Sequence, residues 1–89
     1  NAVEALKWYQ KAADQGFAYA QLNLGVMYYK GDGVPKNSVE AYFWWNLAAA
    51  QGDEKSKTNR DGVEKEMTRE QIAEAQRRAR EWKSKVRQQ

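Results

Sequence analysis

The stretch NAVEALKWYQKAADQG at residues 1–16 returns as NSVEAYFWWNLAAAQG at residues 37–52. Asn1, Val3, Glu4, Ala5, Trp8, Ala12, Ala13, Gln15 and Gly16 recur as Asn37, Val39, Glu40, Ala41, Trp44, Ala48, Ala49, Gln51 and Gly52, nine identities in sixteen positions at an offset of 36. A fixed period in the mid-thirties without strand-like alternation is the signature of a helical-hairpin solenoid. Such folds present surfaces to partners more often than they run reactions. The expected fold class is therefore all-α, a helix-turn-helix repeat solenoid (an α/α superhelix) closed by a C-terminal capping helix pair.

Working outward, the pattern predicts five helices. The first runs over 2–15 and stops at Gly16, the second over 18–30. Gly31-Asp32-Gly33-Val34-Pro35 then breaks the chain, because proline disfavours helix at the residue before it. The third starts after Asn37 or Ser38, with Ser38 as the expected N-cap, and ends at Gly52. The fourth covers 54–66, where an all-polar run and Gly62 weaken the signal. The fifth opens with the capping box Thr68-Arg69-Glu70-Gln71. Ile72, Ala75, Ala79, Trp82 and Val86 follow at spacings of three and four, one apolar stripe.

The two copies also differ in an instructive way. Lys7 and Lys11 of the first become Phe43 and Leu47 of the third helix. The simplest cause is that the C-terminal helix pair covers this face of the third helix, whereas the lysines keep their heads in water. The repeat fails after Gly52, since residues 17–36 match 53–72 almost nowhere. The expected organisation is thus 1–52 as repeats (the second helix of one, then one full repeat) and 53–89 as capping helices. Trp8, Tyr9, Trp44 and Trp45 are expected to pack between helices.

Composition excludes several chemistries. The 89 residues contain no Cys and no His, so disulfides, thiolate sites, imidazole acid–base work and His-ligated zinc are unavailable. No apolar run approaches the roughly 18 residues needed to span a bilayer. The chain opens at Asn1 inside a periodic segment and reads as a fragment or processed piece. The net charge of +3 lies wholly in residues 53–89, where eleven basic groups face eight acidic ones. Glu74 and Glu81 interrupt the basic run Arg77, Arg78, Arg80, Lys83, Lys85 and Arg87, and aromatics are not interleaved with it. A solvated, salt-bridge-laced face is favoured over nucleic-acid binding. Glu64, Glu66, Glu70 and Glu74 have no His beside them, so no metal site and no catalytic residue is assigned. The Gly31–Val34 loop precedes a proline and does not open a helix with Lys-Ser/Thr, unlike a phosphate loop. No cofactor is expected.

The residues Ala18-x-Ala20-Gln21-x-x-Leu24-Gly25-x-x-Tyr28-x-x-Gly31-x-Gly33-Val34, followed by Ala41-x-x-Trp44-Trp45-x-x-Ala48-Ala49-x-Gln51-Gly52, resemble the Sel-one-like repeat family, relatives of the tetratricopeptide repeats. The family usually has Trp-Tyr where this copy has Trp44-Trp45, a form the first helix keeps as Trp8-Tyr9. The resemblance covers residues 2–52. It implies a non-catalytic protein–protein adaptor or scaffold, often bacterial, and leaves the compartment (cytoplasmic or periplasmic) open. Cysteine-rich members pair their helices by disulfides, and that subclass is not supported here. By analogy with tetratricopeptide repeats, the resemblance places Tyr19, Leu22, Asn23, Val26, Tyr29 and Lys30 on the concave, partner-binding face. The same residues form an apolar stripe where a free surface helix would be polar. They bind a protein or peptide, or pack on a neighbouring repeat. Two alternatives stand beside this reading. Leu6, Trp8 and Tyr9 leave apolar surface on the first helix that favours self-association into a homo-oligomer, and the basic C-terminal helix allows a weaker nucleic-acid role.

Overall fold

Each copy of the repeated stretch is launched by the same device. The side chains of Asn1 and Asn37 accept hydrogen bonds from the amides of Glu4 and Glu40, at 2.9 and 3.1 Å. These bonds satisfy donors that the first turn of a helix leaves orphaned. Asn37, not Ser38, is therefore the N-cap, which puts Glu40 three residues on. The computed structural model describes residues 1–87 and contains five helices: α1 (Ala2–Asp14), α2 (Ala18–Lys30), α3 (Ser38–Ala50), α4 (Glu54–Glu64) and α5 (Arg69–Arg87). No strand occurs among the described residues.

α1 and α3 also end alike. Gly16 and Gly52 hold φ of 97° and 98°, left-handed backbone that glycine adopts without strain. Phe17 N–H and Asp53 N–H then reach back to the carbonyls of Ala12 and Ala48, both at 3.2 Å. This closure ends α1 and α3 one to two residues before the expected points. α4 stops at Glu64, two residues earlier than expected, because the amides of Lys65 and Glu66 turn back to Gly62 and Val63. Its polar start holds because Asp53 accepts from both the amide and the hydroxyl of Ser56, at 2.9 and 2.6 Å. The box that opens α5 is complete: Gln71 N–H donates to Thr68 Oγ1 at 3.1 Å and Thr68 N–H donates to Gln71 Oε1 at 2.9 Å.

α3 is the centre of the packing. It touches α2, α4 and α5, while α1 packs on α2. Ala41, Tyr42, Phe43, Trp44, Trp45, Leu47 and Ala48 are all buried, so this helix is apolar nearly all round, as a central helix must be. α5 lies on it through Ala75 and Ala79, both buried. Trp82 meets Trp44 edge-on at 6.4 Å, the Arg78 guanidinium stacks 4.6 Å from Phe43, and Arg78 pairs with Glu40 at 2.5 Å. Phe43 and Leu47 are buried, and Lys7 and Lys11 are exposed. The stripe on α5 holds through Trp82, whereas Val86 is exposed.

Trp8 departs from expectation. It occupies the repeat position of Trp44, yet it is 70% exposed and Trp44 is 4% exposed. Trp44 is flanked by Phe43 and by Trp82 of α5, and among the described residues no helix supplies such a partner over α1. The Lys11 ammonium stands 5.6 Å from the Trp8 ring instead. Tyr9 is half-buried against Tyr19 and Trp45 is buried, as packing residues should be.

The junction between the two copies is polar. Gln21 is fully buried, donates to Ala13 C=O at 3.2 Å and accepts from Gln51 Nε2 at 2.9 Å. Gln51 Nε2 also donates to Gly16 C=O at 2.9 Å. One buried amide thus ties the end of α1 to the end of α3.

Candidate partner-binding face

α2 carries two faces. Ala20, Gln21, Leu24, Gly25 and Met27 are buried. At Gly25 α3 packs close: a Cβ there would lie 2.4 Å from Trp45 Nε1. The indole fills that space and donates to Leu22 C=O at 3.0 Å. The position thus excludes any side chain, for a reason internal to the fold.

The opposite face holds the six residues of the expected stripe. Tyr19 is 70% exposed, Lys30 is exposed, and Leu22, Asn23, Val26 and Tyr29 are half-buried. Leu22, Val26 and Tyr29 pack partly on the core while keeping some surface free. Asn23 Nδ2 donates to Tyr19 C=O at 2.8 Å, so one of its two donor hydrogens serves its own helix. Tyr19 stands edge-on to Tyr9, ring centres 6.5 Å apart.

The six residues fall into two groups. Val26, Tyr29 and Lys30 line a cleft of about 390 Å³ between α2 and α4, together with Trp45, Thr58, Asn59, Gly62, Val63 and Glu66. Tyr19, Leu22 and Asn23 are not among the residues lining it. Tyr29 OH closes one side of the cleft by donating to Glu66 Oε2 at 2.6 Å. The phenol titrates above the ordinary tyrosine range, because this bond and the Glu66 charge both disfavour phenolate. Its ring rests 5.8 Å from that of Trp45, with the Lys36 ammonium 4.7 Å away. The α4 half of the cleft was missed from sequence. Thr58, Asn59, Gly62 and Val63 share one helix face, but α4 is so polar that no apolar stripe marks it. Gly62 inside a helix was the one available signal.

A second open surface lies on α1, a shallow depression of about 470 Å³ lined by Glu4, Leu6, Lys7, Trp8, Gln10 and Lys11. The basic helix is partly neutralised: Arg77 pairs with Glu74 and Glu81, and Arg78 with Glu40. Among the described residues no cluster of acidic groups could hold a metal ion, and no helix is long and apolar enough to cross a membrane.

Comparison with known proteins agrees with this architecture. A crystal structure of c5321, a protective antigen of uropathogenic Escherichia coli with an SLR fold, superposes with a TM-score of 0.87 at 32% identity, over 92% of this chain and 18% of that one. A Sel1 repeat protein from Oxalobacter formigenes gives a TM-score of 0.71 at 41% identity, over 92% of this chain and 36% of the other. Among curated proteins, chitin synthase regulatory factor 3 of Schizosaccharomyces pombe is 44% identical over 57 residues, 64% of this chain. Chitin synthase regulator SKT5 of Saccharomyces cerevisiae is 36% identical over 53 residues, 60% of this chain. The matched stretches are only 6% and 8% of those two proteins. The Sel1 repeat model matches residues 1–17 and 18–53, more than half of the chain, and the chain belongs to the Sel1 repeat family.

Proposed function

We propose that this chain is a non-catalytic interaction module that binds a segment of another protein on the exposed face of α2, with residues 53–89 closing the array as its cap. One observation carries the reading. A row of apolar and aromatic side chains, Tyr19 exposed and Leu22, Val26 and Tyr29 partly so, runs along a helix whose opposite side is already committed to the core. Rigid aromatics on a fixed helix lose little entropy on binding and are favoured as anchors. Sel1 repeats typically mediate protein–protein contacts, and two partial relatives are named as regulators of an enzyme. An adaptor role fits both.

The test is a selection of linear peptides from a phage-displayed library on the immobilised domain. Selected peptides should bind Tyr19→Ala and Tyr29→Ala roughly tenfold or more weakly than wild type, while far-UV circular dichroism stays unchanged. If both variants unfold, the stripe is core and the site is lost. Peptides that bind both variants as tightly as wild type place the site elsewhere.

A second reading rests on Trp8, whose 70% exposure beside Leu6 leaves an apolar patch on α1. This patch drives self-association of the 89-residue chain. Sedimentation should then show mass rising with concentration, and Trp8→Ala should abolish the rise. A monomer at every concentration removes this reading.

A further inference from the structure

Two glycines sit inside helices with helical backbone, and only one has an internal reason to be there. Gly25 gives way to the Trp45 indole. A Cβ on Gly62 would meet nothing within 4 Å, and its φ is not positive. Glycine weakens a helix, and α4 can ill spare it, since it buries only Ser56 and Val63. Gly62 lines the cleft between α2 and α4, so the missing side chain leaves the α4 backbone bare at that wall. Val26, Trp45 and Val63 make the surroundings apolar.

The polar groups of the cleft add a direction. Glu66 is engaged by Tyr29 OH. Lys30 forms no ion pair among the described residues, and a second ammonium, that of Lys36, sits against Tyr29. A hydrogen bond from a neutral phenol leaves the Glu66 charge in place, so two ammonium groups stand against one carboxylate and the excess is positive. We infer that the cleft receives a peptide segment of a partner protein, with an apolar side chain seated against Gly62 and a neighbouring carboxylate set on Lys30. This rests on the α2-face reading and narrows it to an apolar residue beside an acidic one. Backbone exposed by a glycine permits close approach, and an ammonium at the mouth of an apolar cleft selects the carboxylate.

The probe is a capped hexapeptide of Gly and Ser with Leu-Glu at its centre, titrated into the isotope-labelled domain and followed by NMR. Leu-Gln and Ser-Glu versions serve as controls. Shifts should gather at Val26, Gly62, Val63 and the Trp45 indole. Lys30→Gln, the Leu-Gln peptide and the Ser-Glu peptide should each weaken binding at least about fivefold. Gly62→Ala should raise Tm by roughly 2–8 °C and yet weaken the Leu-Glu peptide at least about fivefold. Unchanged binding by a stabilised Gly62→Ala overturns the inference. So does the absence of shifts at about 5 mM peptide, where even a millimolar Kd would be visible. Shifts confined to Tyr19 and Asn23, or phage-selected peptides that need Tyr19 but neither Gly62 nor Lys30, overturn the cleft and leave the wider α2-face reading standing.

Discussion

Gly25→Ala tests how tightly the repeat is closed. The new methyl would lie 2.4 Å from Trp45 Nε1, 2.6 Å from Cδ1 and 2.8 Å from Cε2. None of these belongs to a flexible tail; they are ring atoms of an indole that is 3% exposed. Overpacking of this kind costs about 1–3 kcal/mol. Pushing the ring away also breaks the 3.0 Å bond from Nε1 to Leu22 C=O, at a further cost of about 1 kcal/mol. Alanine returns about 0.5–1 kcal/mol of helix propensity. The net expectation is a loss of about 1–3 kcal/mol, or roughly 4–24 °C in Tm for a domain of this size. Thermal unfolding followed by far-UV circular dichroism and tryptophan fluorescence measures it. Trp45→Phe removes the part of the ring nearest Gly25, so the Gly25→Ala/Trp45→Phe double variant should be less damaged than the sum of the singles, with a coupling of about 1 kcal/mol. A Gly25→Ala protein at or above the wild-type Tm, or strictly additive damage, would refute the reasoning. Gly62→Ala is the internal contrast, since the same change is expected to stabilise where the added methyl meets open space.

Gln21→Leu should lower stability by about 1–3 kcal/mol in urea unfolding, because the buried Ala13 carbonyl loses its side-chain donor and Gln51 one acceptor; unchanged stability would show that the amide network contributes nothing net. The Tyr29–Glu66 bond should fail in alkali. Tyr29 is held above 10 in the fold by its bond to Glu66, so its contribution is complete below pH 10 and is lost as pH rises through the higher folded value. The stability gap between wild type and Tyr29→Phe should therefore shrink above pH 10, and a gap independent of pH would remove the bond from the account. Tyr28, raised chiefly by burial and then by Glu40, shifts stability in the same direction in both proteins.

Much of the fold was legible because its determinants are local. Gly16 and Gly52 each close a helix end, and Thr68 and Gln71 cap each other, whereas the N-cap of α3 is Asn37 and not the neighbouring Ser38. Each device operates within a few residues and is visible in the order of side chains. The exchange of Lys7 and Lys11 for Phe43 and Leu47 was legible too, since an apolar pair on an outer face requires a cover. Half of the candidate site was equally readable, because Val26, Tyr29 and Lys30 share one face of one helix. The other half was not. Thr58, Asn59 and Gly62 carry no apolar pattern that marks their shared face, and they matter only because α4 lies across from α2.

The sequence by itself determined five helices, the glycine stops of α1 and α3, the capping box of α5 and the repeat that relates α1 to α3, since these follow from propensity and from hydrogen bonds closed within a turn or two. Only the tertiary structure decided burial. Trp8 and Trp44 stand at the same position of the same repeated stretch, yet α5 brings Trp82 against Trp44 while Trp8 is left 70% exposed. The same holds for the cleft, whose walls come from α2, α3, α4 and the turn after it. Burial depends on which distant segment arrives, and no local pattern encodes that arrival.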